Sequence, residues 1–196
     1  MNHHGEKPNL KTLICLYPGC IEFEVYLAAQ LLSQSFPSEV ATPNGEDHKS
    51  SVGIKVRADL SFENIQIQKY KVVLIPGGDP GSLLGNLQIS KLLKEAHEAK
   101  LIIGAICAGP FLLSQAGILK GKTIAHGYQE EQLEFLKPYF RDVKLTENLV
   151  YRDGHIVTAK PNGFIDFALE IALLAGVITD SKKVGELRSY YQGAPL

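Results

Sequence analysis

Cys107 lies in a segment whose neighbours suit a reactive thiol. Residues 104–110 read Gly-Ala-Ile-Cys-Ala-Gly-Pro, and this order of small residues around a cysteine is the thiol counterpart of the Gly-x-Ser-x-Gly nucleophile elbow. Such an elbow is a sharp strand-to-helix turn with a strained backbone, and its small neighbours let the chains pass. Pro110 suits the first helical turn, and Gly117 suits a left-handed cap that ends the helix. The pattern therefore predicts a thiol at a helix N-terminus, where the aligned peptide dipoles would lower its pKa.

The alternative for Cys107 is a small residue of the core, since free cysteines are commonly buried. Cys15 falls in the middle of a predicted strand, and we expect it to be buried. Cys20 follows Pro18-Gly19 and is either a second accessible thiol or, as we favour, a packed side chain. An odd total of three cysteines argues against a disulfide scaffold and favours a reducing, cytoplasmic compartment.

A carboxylate falls on the apolar face of the first predicted helix, which covers about residues 22–35. At 100° per residue Glu24 lies inside the apolar stripe, whereas Glu22 falls with Tyr26 on the wetter face. Because residues two apart do not share a helix face, we expect only one of the two carboxylates to point inward. A carboxylate on that stripe must be protonated or paired, so Glu24 is a functional candidate. The alternative is that Glu24 caps backbone amides or faces water at the helix start.

Two further sites follow predicted strands. Gly77 and Gly78 belong to the segment Pro-Gly-Gly-Asp-Pro-Gly at residues 76–81, where glycines let backbone amides converge on an anion, although a tight turn explains them equally well. The spacing does not match a phosphate loop or a dinucleotide motif, so no cofactor is expected. His126 ends a short predicted strand, and a histidine there could hold a thiolate or transfer a proton near neutral pH. The alternative is a hydrogen-bonded loop histidine.

The remaining histidines are not expected to take part in chemistry. His155 follows a predicted hairpin turn and is expected to be structural. The others are expected to face solvent: His3 and His4 in a flexible tail (residues 1–10), His48 in a polar loop, and His97 on a helix among charged residues. No cluster of His, Cys, Asp and Glu has metal-ligand spacing, so the sequence predicts no metal site.

The elements that must position these residues follow an alternating pattern. Near-continuous apolar segments at residues 13–17, 72–75 and 101–106 are typical of parallel strands covered on both faces. Helices are predicted at residues 22–35, 90–99, 109–116, 163–174 and 181–191. Two stretches differ: residues 51–60 alternate like a strand, and residues 148–158 predict a hairpin that turns at Asp153-Gly154. The predicted fold is α/β, a flavodoxin-like three-layer sandwich with a mostly parallel sheet, helices on both faces and a small β-hairpin.

Length and charge narrow the class of protein. The chain has 196 residues, with 45% hydrophobic and 21% charged residues, which fits one globular domain over residues 11–196. Twenty basic against 21 acidic residues give no electrostatic reason to expect nucleic acid or an anionic membrane as a partner. No apolar run reaches the roughly 20 residues that a membrane span needs.

Four segments, in this order, resemble the DJ-1/ThiJ/PfpI superfamily within the class I glutamine amidotransferase-like fold. They are Pro-Gly-Cys-Ile-Glu-Phe-Glu at 18–24, Ile-Pro-Gly-Gly-Asp-Pro-Gly at 75–81, Ala-Ile-Cys-Ala-Gly-Pro at 105–110, and a hairpin followed by a helix with Phe-Ala-Leu-Glu-Ile at 167–171. The resemblance covers about residues 11–176, and its specific part is the elbow preceded by the upstream Pro-Gly-Gly.

The resemblance implies a homodimeric stress-response protein that acts on a small molecule. The roles it carries to this chain are a reactive cysteine at Cys107, a protonated glutamate that hydrogen-bonds its sulfur at Glu24, backbone oxyanion groups at Gly77, Gly78 and Ala108, and a pocket histidine at His126.

Differences from related branches of the superfamily argue against protease, amidotransferase and isonitrile hydratase activity. A histidine follows the cysteine in the protease-like branch, whereas Ala108 stands here, and His155-Ile156-Val157 does not supply the His-x-Glu of an amidotransferase. The isonitrile hydratase branch has aspartate and threonine where this chain has Glu24 and Ala108. Lys-Pro-Asn-Gly at residues 160–163 replaces the family's Gly-Pro-Gly.

Two main hypotheses follow, and the sequence does not choose between them. In the first, the protein is an enzyme whose Cys107 thiolate adds to a reactive carbonyl or acyl carbon, as in a glyoxalase, deglycase or hydrolase. In the second, it is a redox sensor or chaperone-like protein in which Cys107 is oxidised to a sulfinate held by Glu24. A third reading is a degenerate scaffold that works only through its surface.

Overall fold

The computed structural model describes residues 9–194. Its strands are β1 (Lys11–Cys15), β2 (Ser38–Thr42), β3 (His48–Lys49), β4 (Lys55–Val56), β5 (Leu60–Ser61), β6 (Tyr70–Ile75), β7 (Ile102–Ile106), β8 (Thr123–Ile124), β9 (Lys144–Leu145), β10 (Val150–Asp153) and β11 (Ile156–Ala159). Its helices are α1 (Phe23–Leu32), α2 (Leu87–Glu98), α3 (Pro110–Gln115), α4 (Glu130–Leu136), α5 (Phe164–Leu174) and α6 (Ser181–Tyr191). Between residues 9 and 194, none of these helices has the length and apolar character to span a membrane. The predicted tail, with His3 and His4, lies outside the described residues except for Asn9 and Leu10.

The main sheet has seven strands in the order β10-β11-β7-β6-β1-β2-β5, and only β10 runs antiparallel to its neighbour. The interior strand β7 is buried along its whole length, as expected for a strand covered on both faces. Helices α1, α5 and α6 pack together on one face, while α2 and α3 pack on the other. Gly104 of β7 makes this packing close, since a methyl group there would lie 2.8 Å from Phe167 and Ile171 of α5. The predicted three-layer α/β fold is confirmed.

The predicted hairpin is confirmed, and it forms the edge of the main sheet. β10 and β11 pair antiparallel around a turn at Gly154 and His155, with Gly154 at φ 64°. β11 then pairs parallel with β7, which fixes the hairpin beside the most buried strand.

The predicted strand over residues 51–60 is wrong. A turn at Gly53 (φ 83°) interrupts it, and only β4 remains, in a two-stranded antiparallel ribbon with β3 outside the main sheet. The alternating apolar residues Val52 and Ile54 are exposed there, so the alternation does not report a buried face. Strand β5 is a separate short element that joins the sheet edge beside β2.

The helix predictions differ from the structure by up to three residues at their ends, and α1 ends at Leu32, three residues earlier than predicted. α6 has the predicted bounds, and α3 and α5 each begin one residue later than predicted. α2 begins three residues earlier because the Asn86 side chain accepts a hydrogen bond from the Ile89 amide and caps it. α4 was not predicted; it is seven residues long, too short for a clear apolar period.

Candidate active site

Cys107 occupies a strained turn between β7 and α3. Its φ is 61°, one of three positive values among the described residues other than glycine. The turn is tied to the sheet because the Cys107 amide donates to the Ala159 carbonyl at 2.9 Å, and the Gly109 amide donates to the Ile106 carbonyl at 2.8 Å. A side chain at Gly109 would meet the Ile75 carbonyl at 2.9 Å, which explains the small residue there. The chain therefore has the predicted elbow geometry, and Cys107 itself adopts the strained backbone conformation.

Of the three cysteines, only Cys107 is accessible. Cys15 and Cys20 are buried at 1% and 0% exposure, whereas Cys107 is partly exposed. Cys20 forms an isolated bridge with Gly78, so its packed interpretation is confirmed. These exposures argue against the alternative in which Cys107 is only a core residue.

Glu24 points from α1 toward the elbow. It is 2% exposed, so the prediction that it lies on the buried face is confirmed. Its Oε2 atom accepts a hydrogen bond of 2.7 Å from the Gly77 amide, and its carboxyl group interacts with the Cys107 thiol. A carboxyl group and a thiol are thereby brought together across the ends of α1, β6 and β7.

The prediction that Glu22 faces water is wrong. Glu22 is 5% exposed although its backbone angles are helical, because the segment that contains His48 packs against the chain just before α1. A helical wheel does not report such a contact. The negative charge of Glu22 opposes the lowering of the His48 pKa by burial.

The prediction of a lowered cysteine pKa is also wrong. The pKa of the Cys107 thiol is raised to about 11, first by burial and then by the negative charge of Glu24. The amides of Gly78 and Ala108 act in the opposite direction without outweighing burial, and α3 is only six residues long. Burial likewise raises the pKa of Glu24, while the Gly77 amide opposes the shift. The two groups compete for one proton and titrate as a pair.

Three backbone positions surround the sulfur, and they are not equivalent. The amides of Gly78 and Ala108 face the Cys107 sulfur. The Gly77 amide is already bonded to Glu24, so Gly77 orients the carboxylate rather than offering a free donor. A methyl group at Gly77 would lie 2.7 Å from the Cys107 sulfur, which requires glycine there.

Comparison with known proteins shows the family of the chain. The family model described as the DJ-1/PfpI family matches residues 10–173. The chain belongs to the DJ-1/PfpI family. Among relatives of this DJ-1/PfpI member, Protein dj-1beta of Drosophila melanogaster is 31% identical over 165 residues, covering 82% of this chain and 86% of the relative. Glutathione-independent glyoxalase DJR-1.2 of Caenorhabditis elegans is 30% identical over 128 residues, covering 64% of this chain and 66% of the relative.

Solved structures have the same fold as this DJ-1/PfpI member. The crystal structure of Drosophila melanogaster DJ-1beta superposes with a TM-score of 0.75 at 28% identity, covering 96% of this chain and all of that one. The DJ-1 superfamily protein Atu0886 from Agrobacterium tumefaciens superposes with a TM-score of 0.79 at 22% identity, covering 93% and 98% of the two chains.

In this DJ-1/PfpI member the backbone next to His126 contacts the elbow. The amide of Gly127 donates to the Cys107 carbonyl at 2.9 Å. The His126 ring is 7% exposed, accepts a hydrogen bond from the Tyr128 amide through Nδ1 at 3.2 Å, and stacks on the Tyr128 ring. Burial lowers the His126 pKa, which favours the neutral ring. In the described part of the chain no hydrogen bond joins His126 to Cys107, so its pocket role stays a prediction.

The expectations for His48 and His97 in this DJ-1/PfpI member are wrong. His48 has both ring nitrogens buried, because the ribbon of β3 and β4 packs over the Cys20 segment. The His97 ring lies against His155 of the hairpin, with Nδ1 of the former and Nε2 of the latter 2.9 Å apart. Both contacts join segments far apart in sequence, which a local pattern does not report.

Tyr128 is a residue that the motif analysis did not single out. Its hydroxyl donates to the Ala108 carbonyl at 2.6 Å and accepts from the Phe111 amide at 2.7 Å. It thus fixes both sides of the first turn after the cysteine. The only signal in the sequence is its position two residues after His126, which is too general to predict the contact.

Proposed function

We propose that this protein is an enzyme in which Cys107 attacks the aldehyde carbon of small α-oxoaldehydes and converts them to hydroxy acids. The observation that carries the proposal is the elbow itself: a partly exposed thiol at φ 61° beside a buried carboxyl group. A glyoxalase name in one relative, 30% identical to this chain, supports the substrate class. A thiol without a base at hand is a weak nucleophile, and Glu24 supplies the base.

The first step couples attack to proton transfer. As the sulfur of Cys107 bonds to the aldehyde carbon, its proton moves to Glu24, and the carbonyl oxygen becomes an alkoxide. The amides of Gly78 and Ala108 stabilise the alkoxide by donating hydrogen bonds to it. The oxygen then takes a proton, which gives a hemithioacetal. Burial raises the pKa of Glu24, which makes its carboxylate a stronger base for this transfer than an ordinary glutamate would be.

The second step is an isomerisation without an external oxidant. The proton on the former aldehyde carbon is removed and returned to the adjacent carbon, through an enediol, which leaves a thioester on Cys107. Glu24 is the group assigned to remove and return this proton. The neutral His126 ring that burial favours accepts from the Tyr128 amide through Nδ1, so its Nε2 is left as a donor that can give a proton to the substrate oxygen. Water then hydrolyses the thioester, which releases the hydroxy acid and regenerates the thiol.

Turnover of methylglyoxal to lactate tests the proposal, with Cys107→Ala as the variant and Cys15→Ala as the control for loss of a thiol. We expect saturable lactate formation by the wild-type protein, its loss in Cys107→Ala to below about a thousandth, and its retention in Cys15→Ala. Equal rates in wild type and Cys107→Ala would reject the proposal. Selective formation of Cys107 sulfinate under mild peroxide, with no turnover of any α-oxoaldehyde, would favour the redox-sensor hypothesis instead.

A further inference from the structure

A groove opens beside the elbow, between the turn after β6 and helix α4. It has a volume of about 550 Å³, and Gly78 and Ala108 form one end of it. These are the two residues whose amides face the Cys107 sulfur. The groove is therefore placed where the part of a substrate beyond its reacting carbonyl would extend. Its volume is within the range of small-molecule sites, which hold far more than a methyl group.

The walls of the groove are apolar. Its large lining side chains are Leu84, Phe111, Tyr128, and Phe135 and Leu136 of α4. Phe135 and Leu84 are 72% and 52% exposed. Exposed apolar side chains that line one concave surface indicate a binding site rather than scattered surface residues.

Several polar side chains along the groove are bonded in part within the protein. Asp79 accepts from the Gly81 amide through Oδ1 at 2.9 Å, and Gln132 accepts from the Gln129 amide through Oε1 at 2.8 Å. The Tyr128 hydroxyl is held between the Ala108 carbonyl and the Phe111 amide. Because these bonds use part of the polar capacity and five large side chains of the lining are apolar or aromatic, we expect the groove to recognise its occupant mainly by apolar contact.

The charge of the groove is negative. Asp79 and Glu131 are its ionisable side chains, and none of the side chains described along it is basic. A carboxylate or phosphate on the distal part of a substrate would meet acidic groups without a cation to offset them.

We propose that this groove selects neutral α-oxoaldehydes with an aromatic or bulky apolar substituent over methylglyoxal and over anionic analogues. The inference rests on the proposed function, since it assigns the substrate class of the same thiol. The reactive end lies at Gly78 and Ala108, and the substituent lies between Leu84 and Phe135.

Three α-oxoaldehydes test the selection: methylglyoxal, phenylglyoxal and 4-carboxyphenylglyoxal. We expect kcat/KM to be at least tenfold higher for phenylglyoxal than for methylglyoxal, and several-fold lower for the carboxylated compound than for phenylglyoxal. Because the three aldehydes differ in intrinsic reactivity, the decisive measurement is how a groove variant changes kcat/KM for each of them. Phe135→Ala should lower the ratio of kcat/KM for phenylglyoxal to that for methylglyoxal about tenfold, and an unchanged ratio would overturn the groove assignment. Leu87→Ala, which removes an 81% exposed side chain outside the groove, is the matched control and should leave the ratio unchanged.

A second measurement does not need turnover. Acetophenone and acetone, which do not rearrange, are compared as protectants of Cys107 against iodoacetamide in the native protein. We expect acetophenone to halve the alkylation rate at a concentration at least tenfold lower than acetone, and this difference to vanish in Phe135→Ala. Equal protection by the two ketones would overturn the groove assignment even if methylglyoxal is turned over. Preferential protection without any turnover would keep the groove and reject the proposed function.

Discussion

Glu24 shows what a reactive residue costs the fold. The Glu24 carboxyl group is 2% exposed and accepts one backbone hydrogen bond, from the Gly77 amide. This bond stabilises the charged form less than water would, so the pKa of Glu24 is raised. Cys107 adds a second cost, because a side chain at φ 61° is strained. Both residues keep an arrangement that stability alone would not select.

Glu24→Gln is expected to stabilise the protein at neutral pH and not in acid. The folded protein holds the Glu24 proton more tightly than the unfolded chain, whose pKa is near the ordinary value of 4.5. The contribution of this residue to stability is therefore fully present below that pKa and is lost as pH rises through the folded-state pKa. Glutamine has nearly the same shape as glutamate but does not ionise. Thermal unfolding at pH 7.5 should give the variant a Tm a few degrees above wild type, as about 1 kcal/mol corresponds to roughly 2–4 °C for a domain of this size.

The comparison with pH 4 is the control for this prediction. There Glu24 is mostly protonated in both states, so the Tm difference between the two proteins should be much smaller than at pH 7.5, and the other titrating groups are the same in both proteins. A Tm difference that is equal at pH 4 and pH 7.5 would mean that the carboxyl group is not held in a raised-pKa site.

Sequence patterns predicted those site residues whose positions depend on their neighbours in the sequence. The elbow at Cys107 and the inward position of Glu24 depend on small neighbours and helical spacing, and both were predicted. The burial of Glu22 and His48 depends on the ribbon that packs over the Cys20 segment, which no spacing reports. The raised pKa of Cys107 was missed because burial, not the helix dipole, dominates it.

At the scale of elements, the site depends on how closely the turn after β6 approaches the turn after β7. The chain at Gly77 passes so near the elbow that a methyl group would lie 2.7 Å from the Cys107 sulfur and 2.8 Å from the Ala108 amide. No flexible side chain can give way there except the reactive sulfur itself. The spacing of the two strand ends is therefore part of the catalytic geometry.

Gly77→Ala is expected to lower turnover of the best α-oxoaldehyde at least a hundredfold, because it displaces the sulfur and the carboxyl group that the Gly77 amide orients. Gly185→Ala is the matched control. Gly185 lies within α6, where a methyl group would meet nothing within 4 Å, so it should keep full activity and gain up to about 1 kcal/mol in the free energy of unfolding. Full activity in Gly77→Ala would contradict the described approach of the two turns.

The hairpin is fastened to α2 by the contact between His155 and His97, whose ring nitrogens lie 2.9 Å apart. Burial and the neighbouring His97 lower the pKa of His155 to about 4, with Lys100 and Lys122 acting in the same direction and Asp153 opposing them. Burial also lowers the pKa of His97, with the same two lysines adding to the shift and Glu98 opposing it. Neutral rings are therefore favoured in the folded protein.

His155→Gln is expected to reduce the loss of stability in acid. A depressed pKa gives stability that is present above the unfolded value of 6.5 and is lost as pH falls toward about 4. Urea unfolding at pH 7.5 and pH 4.5 measures this loss as the shift of the midpoint. The wild-type midpoint should fall further than that of the variant; equal shifts would show that the pair does not titrate with unfolding.

Elements in the main sheet were predictable to the extent that they are long and buried. β1, β6 and β7 give continuous apolar runs because helices cover both faces, and the hairpin carries its own turn signal at Gly154. The ribbon of β3 and β4 was not predicted because two-residue strands leave no period to detect. α4, the helix that walls the groove, escaped detection for the same reason.

At the scale of the whole molecule, we propose that the chain forms a homodimer through the outer face of α1. Phe23 and Tyr26 are 56% and 44% exposed there, and the Phe23 ring packs edge-on against Phe164 at the start of α5. Leu149, 38% exposed, lies against the turn before α5 and extends the same apolar surface. Exposed apolar side chains grouped at one end of the helix layer suit a self-complementary contact.

Sedimentation equilibrium should give a mass of twice 21.5 kDa for the wild-type chain. Phe23→Lys should shift the equilibrium toward the monomer, whereas Leu87→Lys, which replaces an 81% exposed apolar residue of α2, should not. A wild-type mass of 21.5 kDa at micromolar concentration would reject the dimer.

The rate of iodoacetamide alkylation at each cysteine, measured against pH in the native protein by peptide mass spectrometry, tests most directly whether Cys107 and Glu24 act as one unit. We predict that Cys107 reacts far faster than Cys15 and Cys20, which are buried, and that its midpoint falls in Glu24→Gln because the charge that raises its pKa is removed. Alkylation of Cys107 no faster than of Cys15, or a midpoint unchanged by Glu24→Gln, would contradict the account.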